Sequence, residues 1–352
     1  MKALIAMSGG VDSSVTAYIM KEKGYDCIGI TFRMFDKADD VFNFDTSDQN
    51  SDIADSKAIC DKIGIPFISM DVSDRFRKYV IDKFIKTYEK GGTPNPCVDC
   101  NKHIKFEILN EVAEEYGCDV IVTGHYAKIG YDNGRYFIKK ADDEKKDQSY
   151  FLYPLSQDQL KKVHFPLAEI TKEKAREIAE KNGFINAHKK DSQDVCFISD
   201  GDYASFICRS TCKKYPKGKF VDVKGTPVGM HNGIIHYTIG QRKGLGIALG
   251  TPVYVKEKDI LKNTVTVSTN EELFEKEIIA EDFNFMAIEK IAEPIRCTAK
   301  IRYAHKGALA TVEYVDKNKV RIIFDEPQRA PAKGQSVVLY NDDIILGGGT
   351  IA

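Results

Sequence analysis

Short apolar runs alternate with helical patterns through the first part of the chain. Ala3-Leu4-Ile5-Ala6-Met7 has the length and composition of a buried strand, and Val15 to Lys21 reads as a helix ending near Gly24. Cys27-Ile28-Gly29-Ile30-Thr31-Phe32 and Ile65 to Met70 repeat the strand pattern, with a helix over 53–63 between them. This order predicts β-α-β units on a parallel sheet, with ligands at the C-terminal edge of its strands. Phe76, Val80, Phe84 and Tyr88, spaced by four, predict an amphipathic helix whose rings belong to a core. Further helices are expected over 104–116, 170–182 and 202–212, a strand over 120–126, and a hairpin over 127–141 turning at Asn133-Gly134. From Phe220 the pattern changes to short strands near 221–223, 234–239, 253–255 and 264–267. A last set, near 297–303, 310–315, 320–324 and 336–340, suggests a small closed barrel. The expected map is a parallel-sheet α/β domain over 1–205, a β-rich central domain over 206–270 and a C-terminal β-barrel over 271–352.

Charge narrows the partners. Lys plus Arg number 51 and Asp plus Glu 52, so no bulk positive field draws nucleic acid and any RNA contact must be local. The segment 139–224 holds 18 basic against 14 acidic residues, which could face phosphates or solvated helix surfaces. Residues 36–55 carry seven Asp and read as a surface loop. No apolar run approaches the roughly 18 residues that span a bilayer, and the chain starts directly on a strand, so a cytoplasmic protein with no membrane partner is expected. Nine scattered cysteines, an odd number, argue for thiols kept reduced rather than a disulfide framework.

Candidate chemistry begins at Ser8-Gly9-Gly10-Val11-Asp12-Ser13-Ser14, between the first strand and first helix. The glycines allow a sharp turn and close ligand approach, while Ser13, Ser14 and the free N–H groups of the first helical turn are expected to point at an anion, naturally phosphate. The lysine of a Walker A loop is missing, so transfer of the γ-phosphoryl group is not the natural reading. The stretch 91–102, with two prolines and two glycines, is expected to be a loop ending just before a helix. Cys100 would then sit near a helix start, where the positive helix end and Lys102 favour the thiolate. His125 follows Gly124 at the end of a strand and either contacts a ligand or is satisfied by neighbouring backbone. Lys145 to Tyr150 offers charge and amide donors to phosphate or base edges, and serves equally well as a solvated turn. Cys196, among polar residues, is a second loop thiol.

The loop SGGVDSS resembles the PP-loop of the ATP pyrophosphatases (adenine nucleotide α-hydrolase-like), which split ATP between its α and β phosphates and adenylate an oxygen of their substrate. SGGVDSS, NPCVDCNKHIKF, VTGHYA, KDQSYFLYPLS, DSQDVCFI, HYTIGQRKGLGI and KIRYAHKGALA together resemble, in order and spacing, the tRNA-specific 2-thiouridylases. That resemblance implies replacement of the 2-oxygen of the wobble uridine by sulfur, with ATP consumed to turn the oxygen into a leaving group and Mg²⁺ neutralising charge on the departing pyrophosphate. It implies nucleotide contacts at Ala6, Met7, Ser8, Gly9, Gly10, Val11, Asp12, Ser13, Phe32 and Gly124. Cys196 would carry sulfur as a persulfide delivered by a donor protein, and Cys100 would attack it or help release its sulfur. Asn95, Pro96 and Cys97 would meet a base flipped out of the anticodon stack. His125, Lys146, Asp147, Gln148, Arg302, Tyr303 and Gln335 would contact tRNA.

Many family members have Asp where this chain has Cys97. Cys97, Cys100 and Cys196 could instead hold a 4Fe-4S cluster with one iron open to sulfide. A zinc site from Cys97, Cys100, Cys208 and Cys212 is the blander alternative, although Cys208 and Cys212 fit a helix core face. Two rivals differ in kind: a nitrogen-using PP-loop enzyme of the argininosuccinate or GMP synthetase type, which needs no paired thiols, and a non-catalytic tRNA-binding protein with a vestigial nucleotide site.

Overall fold

A computed structural model describes residues 1–35, 47–190, 195–198, 201–316 and 318–352. The chain forms two units, one of residues 1–80, 97–199 and 343–345, the other of 81–96, 200–342 and 346–352.

The first unit is built on a five-stranded parallel sheet in the order Phe67–Asp71, Asp26–Arg33, Lys2–Ala6, Val120–Val122, Val163–His164. The chain winds outward from the central strand on one side, then crosses to its other side at Val120. Strand order therefore reverses beside Lys2–Ala6, and the crevice at a parallel sheet's carboxyl edge opens there. Val11–Glu22 leaves that edge as a helix, burying Val11, Val15, Ala17 and Met20 against the sheet. Of the surface loop expected over 36–55, residues 47–55 are helical instead, since the helix Ser47–Ile63 starts before Ile53, while 36–46 lie outside the described residues. The apolar 120–126 run keeps strand pairing only to Val122, because Thr123 and Gly124 turn into the crevice. The hairpin Lys128–Asp132 with Arg135–Lys139 forms as expected, with Asn133 and Gly134 in the left-handed region.

In the second unit a four-stranded sheet runs Tyr254–Asp259, Thr264–Ser268, Gly218–Val221, Pro227–His231. The apolar stretch 234–239, expected as a strand, forms a 3₁₀ turn at Ile234–His236, because Gly233 at φ 122° turns the chain out of extension just before it. The helix Tyr203–Thr211 buries Ala204, Phe206 and Ile207, but Cys208 is half-buried and Cys212 exposed in the left-handed region at its end, so the two cysteines do not share a core face.

The barrel is a closed antiparallel sheet of six strands: Phe274–Phe285, Lys319–Arg329, Ala308–Asp316, Ile295–Lys300, Ser336–Asn341 and Ile344–Ile351, the last pairing back to the first. Its interior is Ile278, Ala280, Phe283, Cys297, Ala299, Ala310, Val312, Ile322, Phe324, Val337 and Leu339. The first and last strands were absent from the sequence reading. The closing strand carries Gly347, where a Cβ would stand 2.7 Å from the Phe283 ring, so the residues that weaken its strand pattern are those that let the seam close.

Candidate active site

The phosphate loop is held by its own hydroxyls. Ser13 Oγ donates to the Gly10 carbonyl (3.0 Å) and accepts from the Ser8 amide (3.1 Å), while Ser8 Oγ lies 3.2 Å from Ser13 Oγ. Gly10 caps the helix Val11–Glu22 without a side-chain partner, as a helix end that receives a ligand requires. Ser14 does not face the anion as expected. One turn into the helix, it is completely buried, donating to Gly10 O (3.1 Å) and accepting from Asn186 Nδ2 (2.9 Å). Gly124, two residues past the strand Val120–Val122, has its Cα so close to the helix start that a Cβ would stand 3.0 Å from Asp12 C and 3.1 Å from Ser13 N. That approach sets Gly124 beside the loop at the reversal of strand order. Ala6 ends the central strand, Met7 exchanges hydrogen bonds with the Asp26–Arg33 strand, and Phe32 is half-buried on that strand.

Asp12 is tied to residues far along the chain. Its two oxygens take the Tyr126 hydroxyl (2.8 Å) and Lys172 Nζ (2.7 Å), and the lysine side chain is only 6% exposed. Asn186 ties the loop from the other side, donating to Gly9 O (2.9 Å) as well as Ser14. Three residues further on, Lys189 bridges Asp52 and Asp55 at 2.7 Å each. The sequence reading missed Tyr126, Lys172, Asn186 and Lys189. Their hydroxyl, charged and amide groups come from three separate stretches, and nothing local to any stretch marks them.

The thiols lie in the same unit. The expected 91–102 loop is shorter than its prolines suggested: Pro96 opens a helical run through Pro96–Cys100, the π-helical Asn101–Phe106 and Glu107–Glu115. Proline suits a first helical position because its missing N–H has no partner there anyway. Cys100 therefore lies beyond the helix start, and it is buried. Burial pushes its thiol up to about 11, against the weaker pull of Lys105. This overturns the expectation of a thiol lowered by the helix end and Lys102: desolvation wins. Cys196 is pushed up to about 12, by burial first and then by Cys100 and Cys97, and Cys97 is raised by burial. Cys97 and Cys196 are exposed as residues, yet their thiols are hemmed in closely enough for burial to dominate. The three cysteines and Lys105 share one electrostatic environment. Phe197, next to Cys196, packs edge-on against Phe76 at 5.8 Å. Residues 191–194 of the DSQDVCFI motif lie outside the described residues.

Of the remaining site residues, His125 is buried, with Nδ1 2.7 Å from Thr123 Oγ1 and its ring against Phe106 and Phe165. Burial, with Lys105 nearby, holds its pKa well below the ordinary value, so the ring is neutral. Asp147 is buried and accepts from Ala141 N, Ser149 N and Ser149 Oγ, Gln148 Oε1 accepts from Tyr126 N (3.0 Å), and Lys146 is half-buried. Asn95, Pro96, Arg302, Tyr303 and Gln335 belong to the second unit. There Arg302 donates to Arg329 O (3.1 Å), Tyr303 is exposed with Lys300 Nζ 5.7 Å from its ring centre, and Gln335 donates to Thr93 O (3.3 Å) and Pro94 O (3.1 Å). Among the described residues no group of three or more His, Cys, Asp or Glu side chains is placed to hold a metal ion. No helix among them is long and apolar enough to cross a membrane.

Family models match residues 1–200 as a tRNA methyl transferase HUP domain, 204–269 as a tRNA methyl transferase PRC-barrel domain and 275–351 as an aminomethyltransferase beta-barrel domain. Full-length relatives named tRNA-specific 2-thiouridylase MnmA are 47% identical in Clostridioides difficile, over 99% of this chain and 98% of the relative, and 48% identical in Clostridium acetobutylicum, over 99% of both. The chain belongs to the tRNA-specific 2-thiouridylase family. A third relative of that name, from Acetivibrio thermocellus, is 46% identical over 99% of both chains. Among solved structures, a 4-thiouridine synthetase in complex with RNA and ATP aligns at TM-score 0.34 and 20% identity over 55% of this chain and 44% of that one, too distant to carry weight. Family membership fixes the architecture read from the sequence: a parallel-sheet domain, a small β-rich domain and a closed β-barrel.

Proposed function

We propose that this chain replaces the 2-oxygen of the wobble uridine of a tRNA anticodon with sulfur taken from a cysteine persulfide. As a family member it is an ATP-using sulfurtransferase acting on tRNA. What supports the finer reading is the sharing of one unit by the phosphate loop and by two thiols, Cys100 and Cys196, that feel each other's charge.

In the first half-reaction the uridine 2-oxygen attacks the α-phosphate of ATP and pyrophosphate leaves. The first-turn amides of Val11–Glu22 and the buried Lys172 ammonium are fixed positive groups for the charge that develops. Bound with the nucleotide, Mg²⁺ would supply charge neutralisation at the pyrophosphate; both Asp12 oxygens already accept from Tyr126 and Lys172, so the phosphates would be its main ligands. In the second half-reaction the terminal sulfur of a Cys196 persulfide attacks the activated carbon and AMP departs. Cys100 thiolate then attacks the Cys196 sulfur, breaking the S–S bond to the nucleoside and leaving 2-thiouridine with a Cys100–Cys196 disulfide. An external thiol reduces that disulfide and restores the enzyme. Because both thiols rest protonated, a proton must leave each before it acts.

Asn95, Pro96 and Cys97 meet the flipped base, while Lys146, Gln148, Arg302, Tyr303 and Gln335 contact RNA. His125 and Asp147 are buried in the chain without RNA; Asp147 acts through the Ala141 and Ser149 backbone amides it holds, and His125 through its contacts with Thr123, Phe106 and Phe165. The sulfur reaches Cys196 from a persulfide-bearing donor protein in the cytoplasm, and the domain division falls at 205 and 270. Cys196→Ala separates the half-reactions. It should release pyrophosphate and AMP-activated RNA but form no 2-thiouridine, read by mass spectrometry of digested tRNA; thiolation persisting within a few-fold of wild type would overturn the reading.

A further inference from the structure

Within the first unit the phosphate loop has a second set of charges beside it. Gly9, at φ 70°, lies so close to the helix Ser47–Ile63 that a Cβ there would stand 2.6 Å from Asp52 Cα and 2.7 Å from Asp52 O. That helix is pinned at the carboxyl edge of the sheet by Gln49. Its side chain accepts from Met34 N (2.8 Å) and Phe35 N (3.0 Å) and donates to Phe35 O (2.9 Å), just past the strand Asp26–Arg33. Buried Asn186 holds the Gly9 carbonyl, and three residues on, Lys189 sets its Nζ 2.7 Å from both Asp52 Oδ1 and Asp55 Oδ2. Two carboxylates beside a loop suited to phosphate oppose the ligand, since a polyphosphate seated there meets like charge. Lys189 is the cation that offsets them.

We infer that Lys189 is a phosphate-binding residue of the nucleotide site, held by Asp52 and Asp55 and turned onto the polyphosphate when ATP occupies the loop. The inference rests on the reading of Ser8 to Ser14 as the seat of the ATP phosphates. Lys172 and Lys189 then have different tasks. Lys172, 6% exposed and committed to Asp12, is a fixed charge. The Lys189 side chain is 35% exposed and that of Asp52 37%, so water screens their tie and leaves it near the strength of a surface pair. A polyphosphate concentrates more negative charge than two carboxylates, and a lysine reaches it as a point charge on a flexible four-carbon stem. Burial works against the charged amine, but the bonds from Asp52 and Asp55 outweigh it and hold Lys189 above its ordinary pKa. The ammonium is therefore available at every pH at which ATP binding is measured.

The competing role is a tie that only holds the Asn186 segment against the helix, and the two roles differ in sign. Calorimetry of the full chain with ATP and Mg²⁺, and with adenosine as a control lacking phosphate, separates them. Lys189→Met should weaken ATP roughly 10- to 100-fold, the scale of a charge-assisted hydrogen bond, and leave adenosine within twofold. Asp52→Asn combined with Asp55→Asn removes two like charges and releases the lysine, so it should tighten ATP roughly threefold or more. A purely structural tie predicts the reverse: looser ATP in the double variant, and adenosine weakened as much as ATP in Lys189→Met. Adding Lys189→Met to the double variant should again cost about tenfold or more, because the lysine touches phosphate. If that triple variant binds ATP as well as the double one, Lys189 only neutralises the carboxylates and the inference falls. Should Lys189→Met fail to fold, as judged by its melting transition, the sign of the change in the double variant decides. A wild type that binds adenosine as tightly as ATP would overturn the reading of the phosphate loop and the inference with it, whereas the variant outcomes overturn the inference alone.

Discussion

Lys172→Met tests the charge network under the phosphate loop. The lysine side chain is 6% exposed and that of Asp12 31%, with 2.7 Å between Nζ and Oδ2. Removing one partner of a fully buried pair costs about 3–5 kcal/mol. Asp12 is open to water over about a third of its surface and keeps the Tyr126 hydroxyl, so roughly 2 kcal/mol is the reasonable expectation here. For a unit of this size that is a fall of about 4–8 °C in melting temperature. Asp12→Asn should cost a similar amount, and the double variant should cost little more than either single one, a coupling of about 1–2 kcal/mol. On the function proposed above, the same lysine is a fixed positive group for the departing phosphates, so pyrophosphate release should fall roughly 100-fold or more in Lys172→Met. The assays are thermal melting of the three variants and ATP-dependent pyrophosphate release. Additive melting shifts, or pyrophosphate release unchanged in Lys172→Met, would refute the network.

Other expectations follow from the same geometry. Cys100→Ala and Cys196→Ala should each lower 2-thiouridine formation at least 100-fold, about the scale of removing a nucleophile that acts as a unit with its partner, whereas Cys97→Ala should be nearly neutral; a dead Cys97→Ala with iron lost from the protein would favour the cluster. Iodoacetamide should label Cys100 and Cys196 about tenfold faster per pH unit up to about pH 10, because their thiols are pushed up to about 11 and 12; a plateau near pH 7 would show thiolates at rest. Asn186→Ala removes bonds to Gly9 O and Ser14 Oγ, each worth about 1 kcal/mol, and should weaken ATP binding roughly tenfold by calorimetry. His125 has a folded pKa well below its unfolded value, so the unfolded chain binds more protons below about pH 6.5 and stability falls as pH drops through that value. His164, His231 and His305 share that direction, so His125→Asn should reduce the slope of melting temperature between pH 5 and 6.5 without abolishing it.

The sequence made the parallel sheet, the phosphate loop, the hairpin at Asn133-Gly134 and four barrel strands legible because each is a local pattern. Hydrophobic period, turn residues and strand length all lie within about ten positions. What was hidden depends on distance in the chain. Lys172 meets Asp12 across 160 residues, and Asn186 meets Gly9 across 177, in stretches that otherwise look like ordinary exposed helix and loop. Cys100 was misread as a lowered thiol because helix position can be guessed from proline and glycine, but the depth of burial that decides the sign of the shift cannot. The seam strand Ile344–Ile351 was missed because its three consecutive glycines weaken a strand pattern exactly where a barrel must close tightly on Phe283. Cys100, Cys196 and Gly124 were singled out as candidate site residues through ordered motifs spread over the whole chain, a signal that no single spacing carries.

The most direct test of the account is a single turnover without reductant, on protein carrying one persulfide sulfur at Cys196, mixed with unmodified tRNA and ATP. The account predicts one 2-thiouridine, one AMP and one pyrophosphate per persulfide, with a Cys100–Cys196 disulfide detected by peptide mass spectrometry in the same amount. Thiolation without that disulfide, or thiolation that requires iron bound by Cys97, Cys100 and Cys196, would contradict it.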